Sequence, residues 1–170
     1  MNRIALCGFM GCGKSTVASA LEKKYKLKHI DIDKYIEEKE NMTISEIFST
    51  FSENYFRDKE YNAICSLSEN DGLVLALGGG AVMFSRNVKA LKDNGYKIIF
   101  INTDLCVIKE RLKNDTTRPL LKTNDIDALY NKRFDIYKEN SDLCINCKDE
   151  DADTLADIII ESIEGEGKNP

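Results

Sequence analysis

An α/β fold built on a parallel sheet is what this sequence predicts, and two observations carry the prediction. First, Gly8-Phe9-Met10-Gly11-Cys12-Gly13-Lys14-Ser15-Thr16 fits the phosphate-loop pattern: two glycines with four residues between them, then Lys and Ser. Second, short apolar runs alternate with helical patterns along the chain. The run at 72–77 is apolar almost throughout, as a strand covered on both faces must be. With 170 residues and 42% hydrophobic content, the chain suits one compact domain, expected over residues 1–164, and a disordered tail over 165–170.

Taken in order, residues 3–7 form a short buried strand, the loop follows, and residues 15–25 form a helix. Glycines let successive N–H groups converge on a phosphate without side chains in the way. Lys14 adds a point charge at the β/γ-phosphates, the Ser15 hydroxyl suits Mg²⁺, and the helix N-terminus favours the same anion. Residues 28–33 are expected as a second strand whose alternation puts Asp31 and Asp33 on one side. They fit either a polar strand edge or helix cap, or a pair at the strand's carboxyl end that serves metal and phosphoryl acceptor. His29, the only histidine, is taken as structural.

Residues 34–67 show a helical pattern in two or three pieces. Thr43 with Glu46 makes a capping box for a helix over 44–51, and Ser52 caps the next. That helix carries Arg57 and Glu60 on neighbouring positions of one face. They make either an exposed ion pair of little worth or a carboxylate that holds a guanidinium fork for an acidic ligand. With six arginines against eighteen lysines, each Arg position carries information. The strand at 72–77 ends in Gly78, Gly79 and Gly80, either a tight turn or a place where a ligand approaches the backbone closely.

A helix near 87–93, a turn at Asn94-Gly95 and a strand at 97–101 come next. Thr103 is expected to cap a helix over 104–113. The polar stretch 114–124 contains Arg118 and is either a surface loop or one that closes over phosphates. Residues 125–139 are helical and carry Arg133, 142–147 form a last strand, and 153–163 form an amphipathic helix.

A net charge of −5 leaves no nucleic-acid footprint. No apolar run approaches the roughly 20 residues that span a bilayer. The first strand leads straight into the phosphate loop, so a cytoplasmic location without signal peptide is expected. Among six cysteines, Cys7, Cys65 and Cys106 fall among apolar residues and are expected to be buried. Cys144 and Cys147 form a C-x-x-C, yet strand alternation sets them on opposite faces, and no second pair completes a zinc site. Cys12 lies beside a helix N-terminus and Lys14, which favour thiolate; its modification is expected to block nucleotide binding.

In order and spacing, the phosphate loop, Asp31-x-Asp33, Phe56-Arg57-x-x-Glu60, the three glycines, Arg118-Pro119-Leu120-Leu121 and Arg133 resemble the shikimate kinase family over about residues 2–163. The resemblance implies a P-loop NTPase fold, a three-layer α/β/α sandwich with a five-stranded parallel sheet. It is nucleoside-monophosphate-kinase-like, with a substrate-binding segment at about 33–61 and a lid at about 113–124. It implies transfer of the ATP γ-phosphate to the shikimate 3-hydroxyl, one Mg²⁺ per subunit, and a monomer. By position, Gly11, Cys12, Gly13, Lys14, Ser15 and Thr16 would hold the phosphates, with Ser15 and, through water, Asp31 on the metal. Arg111 would lie against adenine and Arg118 would reach the ATP phosphates. Asp33 would orient or deprotonate the attacking hydroxyl. Arg57 and Arg133 would clamp the shikimate carboxylate at Gly78, Gly79 and Gly80, with the Gly79 N–H on the substrate. The chain departs from the family where Leu75-Ala76-Leu77 replaces a Thr or Ser before the glycines. It also departs in a short segment between Arg118 and Arg133, and at 148–153, where an Arg and a Pro commonly frame adenine. Competing expectations are a kinase for another hydroxy acid such as gluconate, a nucleoside monophosphate kinase, and a nucleotide-binding regulator without catalysis.

Overall fold

Five parallel strands form the sheet: β1 (Ile4–Cys7), β2 (Lys28–Asp31), β3 (Leu73–Ala76), β4 (Lys97–Thr103) and β5 (Leu143–Cys147), in the order β2-β3-β1-β4-β5. The structure, a computed structural model, describes residues 3–70, 72–113, 125–148 and 150–166. β1 and β3 are buried at every position, which is why both are continuous apolar runs. In register, Ile4 faces Val74 on one side and Lys97 on the other.

The helices are α1 (Lys14–Tyr25), α2 (Ile32–Glu40), α3 (Ile44–Thr50), α4 (Glu53–Ser68), α5 (Ser85–Asp93), α6 (Leu105–Leu112), α7 (Ile126–Asn140) and α8 (Ala152–Glu166). Among the described residues, a 3₁₀ turn spans Ala81–Met83. Right-handed crossovers dictate their layers. The step from β1 to β2 runs one way along the sheet, so α1 covers one face. The steps β2 to β3, β3 to β4 and β4 to β5 run the other way, so α4, α5 and α7 cover the opposite face. α8 folds back onto α1, and α4 packs against α2 and α5. The connections leaving β1 and β3 therefore diverge, and a crevice opens between the carboxyl ends of these adjacent strands, the usual ligand position in such sheets. The phosphate loop leaves β1 there and the three glycines leave β3.

Local chemistry sets several boundaries as expected. Thr43 and Glu46 form the capping box of α3, and Ser52 caps α4 through the Tyr55 N–H. Other boundaries differ. β2 stops at Asp31, and α2 begins at Ile32, because the Asp31 side chain accepts from the Lys34 N–H and caps the helix. Asp33 thus sits in the first turn of a helix rather than on a strand. Thr103 ends β4 and does not cap α6; its hydroxyl donates to the Cys12 carbonyl at 2.9 Å. α8 runs through Gly165 to Glu166, two residues into the expected tail.

Candidate active site

The phosphate loop owes its shape to glycine at two positions above all. Gly13 takes φ 100° where it caps α1, a left-handed conformation that L residues avoid. A Cβ on Gly8 would stand 2.7 Å from the Ile101 carbonyl oxygen. The Lys14 ammonium donates to the Gly8 and Phe9 carbonyls at 2.9 and 3.1 Å, so it lies across the rim of the loop. The Ser15 hydroxyl donates to Asp31 Oδ2 at 2.5 Å, and Arg111 of α6 donates to the Gly11 carbonyl at 3.1 Å. Gly11, Cys12, Gly13, Lys14, Ser15, Thr16, Asp31 and Arg111 all line a cleft of about 780 Å³, a size suited to a nucleotide. The N-terminal end of α8 supplies Asp151, Ala152 and Leu155 to its wall.

A second cavity of about 90 Å³ adjoins it, lined by Arg57, Arg133, Gly78, Gly79, Gly80 and apolar side chains from Met10, Ile44, Phe48 and Phe56. Asp33 and Gly79 border both spaces. The three glycines serve different neighbours. A Cβ on Gly78 would fall 2.7 Å from Asp33 Oδ1 and 2.9 Å from Glu60 Oε1; one on Gly80 would fall 2.6 Å from Arg57 Nη2. The Gly79 carbonyl accepts from Arg133 at 3.4 Å and from the Tyr137 hydroxyl.

Arg57 is held from several sides. Its Nη1 donates to both Glu60 oxygens at 3.1 Å, its Nη2 donates to Glu53 at 3.2 Å, and the Phe56 and Phe84 rings lie 5.1 and 5.2 Å from its guanidinium carbon. Glu60 is fully buried and also accepts from Asn87 Nδ2 at 3.3 Å. Burial pushes its carboxyl up to about 7, against the pull of Arg57, with the nearby Asp33 adding to the rise. Such a pair is a poor stability device. Replacing both partners by apolar side chains is often neutral or better, whereas removing one costs about 3–5 kcal/mol. The arrangement makes sense as a guanidinium fixed for a ligand.

The sequence profile described as shikimate kinase matches residues 10–164. The chain belongs to the shikimate kinase family. It is 42% identical over 140 residues to the shikimate kinase of a Sulfurihydrogenibium species, covering 81% of this chain and 84% of that protein. Against the shikimate kinase of Thermodesulfovibrio yellowstonii it is 39% identical over 168 residues, with 96% of each covered. In three dimensions it resembles the shikimate kinase from Acinetobacter baumannii in complex with shikimate. That match has a TM-score of 0.92 and 30% identity, over 99% of this chain and 96% of that one.

For a shikimate kinase family member, the sequence-predicted residues converge well. Every candidate among the described residues borders one of the two adjoining cavities. Arg118, and the expected lid apart from Lys113, lie outside the described residues. Several expectations are corrected. Cys106 is exposed and Cys65 half-buried, whereas Cys12 is only 2% exposed, so its thiol is covered rather than presented. His29, taken as structural, pairs with Glu22 at 2.6 Å, a partner that the sequence did not reveal. Asn87, Tyr137 and the α8 terminus were missed. Tyr137 stands four residues after Arg133, a spacing that shares a helix face; nothing local marks Asn87.

Proposed function

We propose that this chain transfers the γ-phosphoryl group of ATP to the 3-hydroxyl of shikimate, using the residues that border the two cavities. ATP-dependent phosphorylation of shikimate is the activity of the family to which it belongs. One observation carries the residue assignment: Asp33 borders both spaces, with the Lys14 loop on one side and Arg57 and Arg133 on the other.

In this reading the loop from Gly11 to Thr16 holds the phosphates, and Lys14 leaves its carbonyl partners to follow the migrating group. Ser15 Oγ and Asp31 Oδ2 offer two hard oxygens 2.5 Å apart, a donor set that fits Mg²⁺ held otherwise by phosphates and water. When bound, the one Mg²⁺ per subunit neutralises charge that builds on the phosphate oxygens. Arg57 and Arg133 clamp the shikimate carboxylate bidentately, and Gly79 offers its N–H. Asp33 accepts the hydrogen bond of the attacking hydroxyl and aims it in line. A loose phosphoryl transition state needs such positioning and positive charge more than covalent help. Arg111 lies beside the adenine, and Arg118 reaches the ATP phosphates. The same reading gives one kinase domain over 1–164, acting in the cytoplasm as a monomer, without a nucleic-acid or membrane partner; the net charge of −5 supports the lack of a nucleic-acid partner.

A coupled ADP-release assay across shikimate, gluconate and nucleoside monophosphates tests the acceptor; turnover of gluconate alone would refute the choice. For the residue assignment, Asp33→Asn is expected to lower kcat by about 10²–10⁴ with ATP affinity little changed. A near-wild-type rate would show that Asp33 neither deprotonates nor orients the hydroxyl.

A further inference from the structure

Helix α7 turns a stripe of donors toward the glycine turn. Arg133, Tyr137 and Asn140 recur at i, i+4 and i+7, one face of a helix. Arg133 and Tyr137 both donate to the Gly79 carbonyl, and Asn140 Nδ2 donates to the Val82 carbonyl at 3.0 Å. Within the turn, the Ala81 N–H donates to the Gly78 carbonyl at 3.0 Å. No peptide in the described chain is cis, and in a trans peptide the N–H points opposite its own carbonyl. Engaging the Gly78 and Gly79 carbonyls therefore fixes where the N–H groups of Gly79 and Gly80 point.

We propose that Tyr137 is a positioning residue for the acceptor: its hydroxyl holds the Gly79 carbonyl so that the Gly80 N–H, on the same peptide plane, stands ready as a donor to an acceptor oxygen beside the Gly79 N–H that the Ala81–Gly78 bond orients. This rests on the acceptor reading given above. Arg133 cannot serve alone. Its contact is long at 3.4 Å, and clamping a carboxylate draws the same guanidinium away. Tyr137 has no such second task. Its ring is 1% exposed and stacks on Phe100 at 5.1 Å between centroids, so the hydroxyl is aimed by packing. Burial raises its pKa, which keeps it a donor throughout the working pH range.

Tyr137→Phe keeps the ring and removes only the oxygen. Loss of one such bond is expected to raise the shikimate KM about three- to tenfold. The kcat and the ATP KM should stay within about twofold, because the interaction is made before and during the reaction alike. In the ligand-free protein, amide hydrogen exchange over residues 79–82 should accelerate, since their carbonyl anchor is gone. An unchanged shikimate KM would overturn the proposal, as would an equal rise in both KM values or unaltered exchange of the turn. A wild-type enzyme that leaves shikimate untouched would refute the acceptor reading instead, and the exchange comparison would still decide what the hydroxyl holds.

Discussion

Gly80→Ala isolates the acceptor socket in a single methyl group. Gly80 adopts φ −106° and ψ −2°, a backbone conformation open to alanine, so any effect is steric rather than conformational. The new Cβ would lie 2.6 Å from Arg57 Nη2 and 3.0 Å from its Cζ and Nη1. Ordinary contact is nearer 3.5–4.0 Å, so about 1 Å of displacement is required. A surface Arg would swing away at little cost. Arg57 cannot, because Nη1 is bonded to both oxygens of the fully buried Glu60 and Nη2 to Glu53. Shifting it by that distance breaks the 3.1 Å bonds or moves the glycine turn, and either disturbs the proposed carboxylate clamp. One charged hydrogen bond is worth about 1.5–3 kcal/mol, so the shikimate KM is expected to rise roughly 10- to 150-fold. Neither Gly80 nor Arg57 lines the nucleotide cleft, so ATP affinity by titration calorimetry should be unchanged. Gly79→Ala is the comparison. Its Cβ would meet nothing nearer than the Met10 nitrogen at 3.4 Å, and its Tm should stay near wild type. A Gly80→Ala enzyme with wild-type shikimate KM would show that the guanidinium is free to move and the socket is not rigid.

Two further outcomes follow from burial. The Glu60 carboxyl is pushed up to about 7 from 4.5, so the folded chain holds that proton more tightly than the unfolded one. The associated stability is fully present below pH 4.5 and is lost as pH rises through about 7, on the order of 3 kcal/mol in all. Urea unfolding of wild type and Glu60→Gln from pH 4.5 to 8 should therefore give stability curves that differ in slope across this window; parallel curves would sink the claim. Brief alkylation followed by peptide mass mapping should label the exposed Cys106 and Cys144 first and leave the buried Cys7, Cys12 and Cys147. Burial also pushes the Cys147 thiol up to about 11, which further slows it. A Cys12 that reacts as fast as Cys106 would mean that the loop opens readily.

Legibility in the sequence followed the range of the interactions. The phosphate loop, the Thr43–Glu46 box and the Ser52 cap are contiguous or three residues apart, so the pattern holds their physics. Residues 28–33 misled because Ile30 and Ile32 continue the alternation across the helix start, and two steps cannot separate a strand from a capped first turn. Cys106 misled for the opposite reason: its neighbours are apolar in sequence, but the helical period buries Ile108 and Leu112 and turns Cys106 outward. Asn87 reaches Glu60 across 27 positions and Tyr137 reaches Gly79 across 58, distances over which no local pattern carries information. That the turn is rich in glycine was legible; the steric reason was not, since Asp33 and Glu60 close on Gly78, and Arg57 on Gly80, only after α2 and α4 have packed.

The two halves of the site are built to different tolerances, and burial shows why. On the nucleotide side, Lys14 is half-buried, Ser15 and Arg111 are exposed, and two of the three are held by loop carbonyls that a phosphate can replace. Such groups re-aim at little cost, which suits the proposed task of following a phosphoryl group from donor to acceptor. On the acceptor side, Arg57, Glu60 and Asn87 are buried and mutually bonded, and Gly78 and Gly80 leave no room for a methyl group between them and their neighbours. Water has little access there, so the guanidinium interacts through a low-dielectric medium and needs no reorganisation when a carboxylate arrives. Strain introduced on this side has nowhere to go except into the fold. A change that strains the acceptor socket should therefore register in both stability and shikimate KM, whereas a change at the exposed cleft should register in kinetics alone.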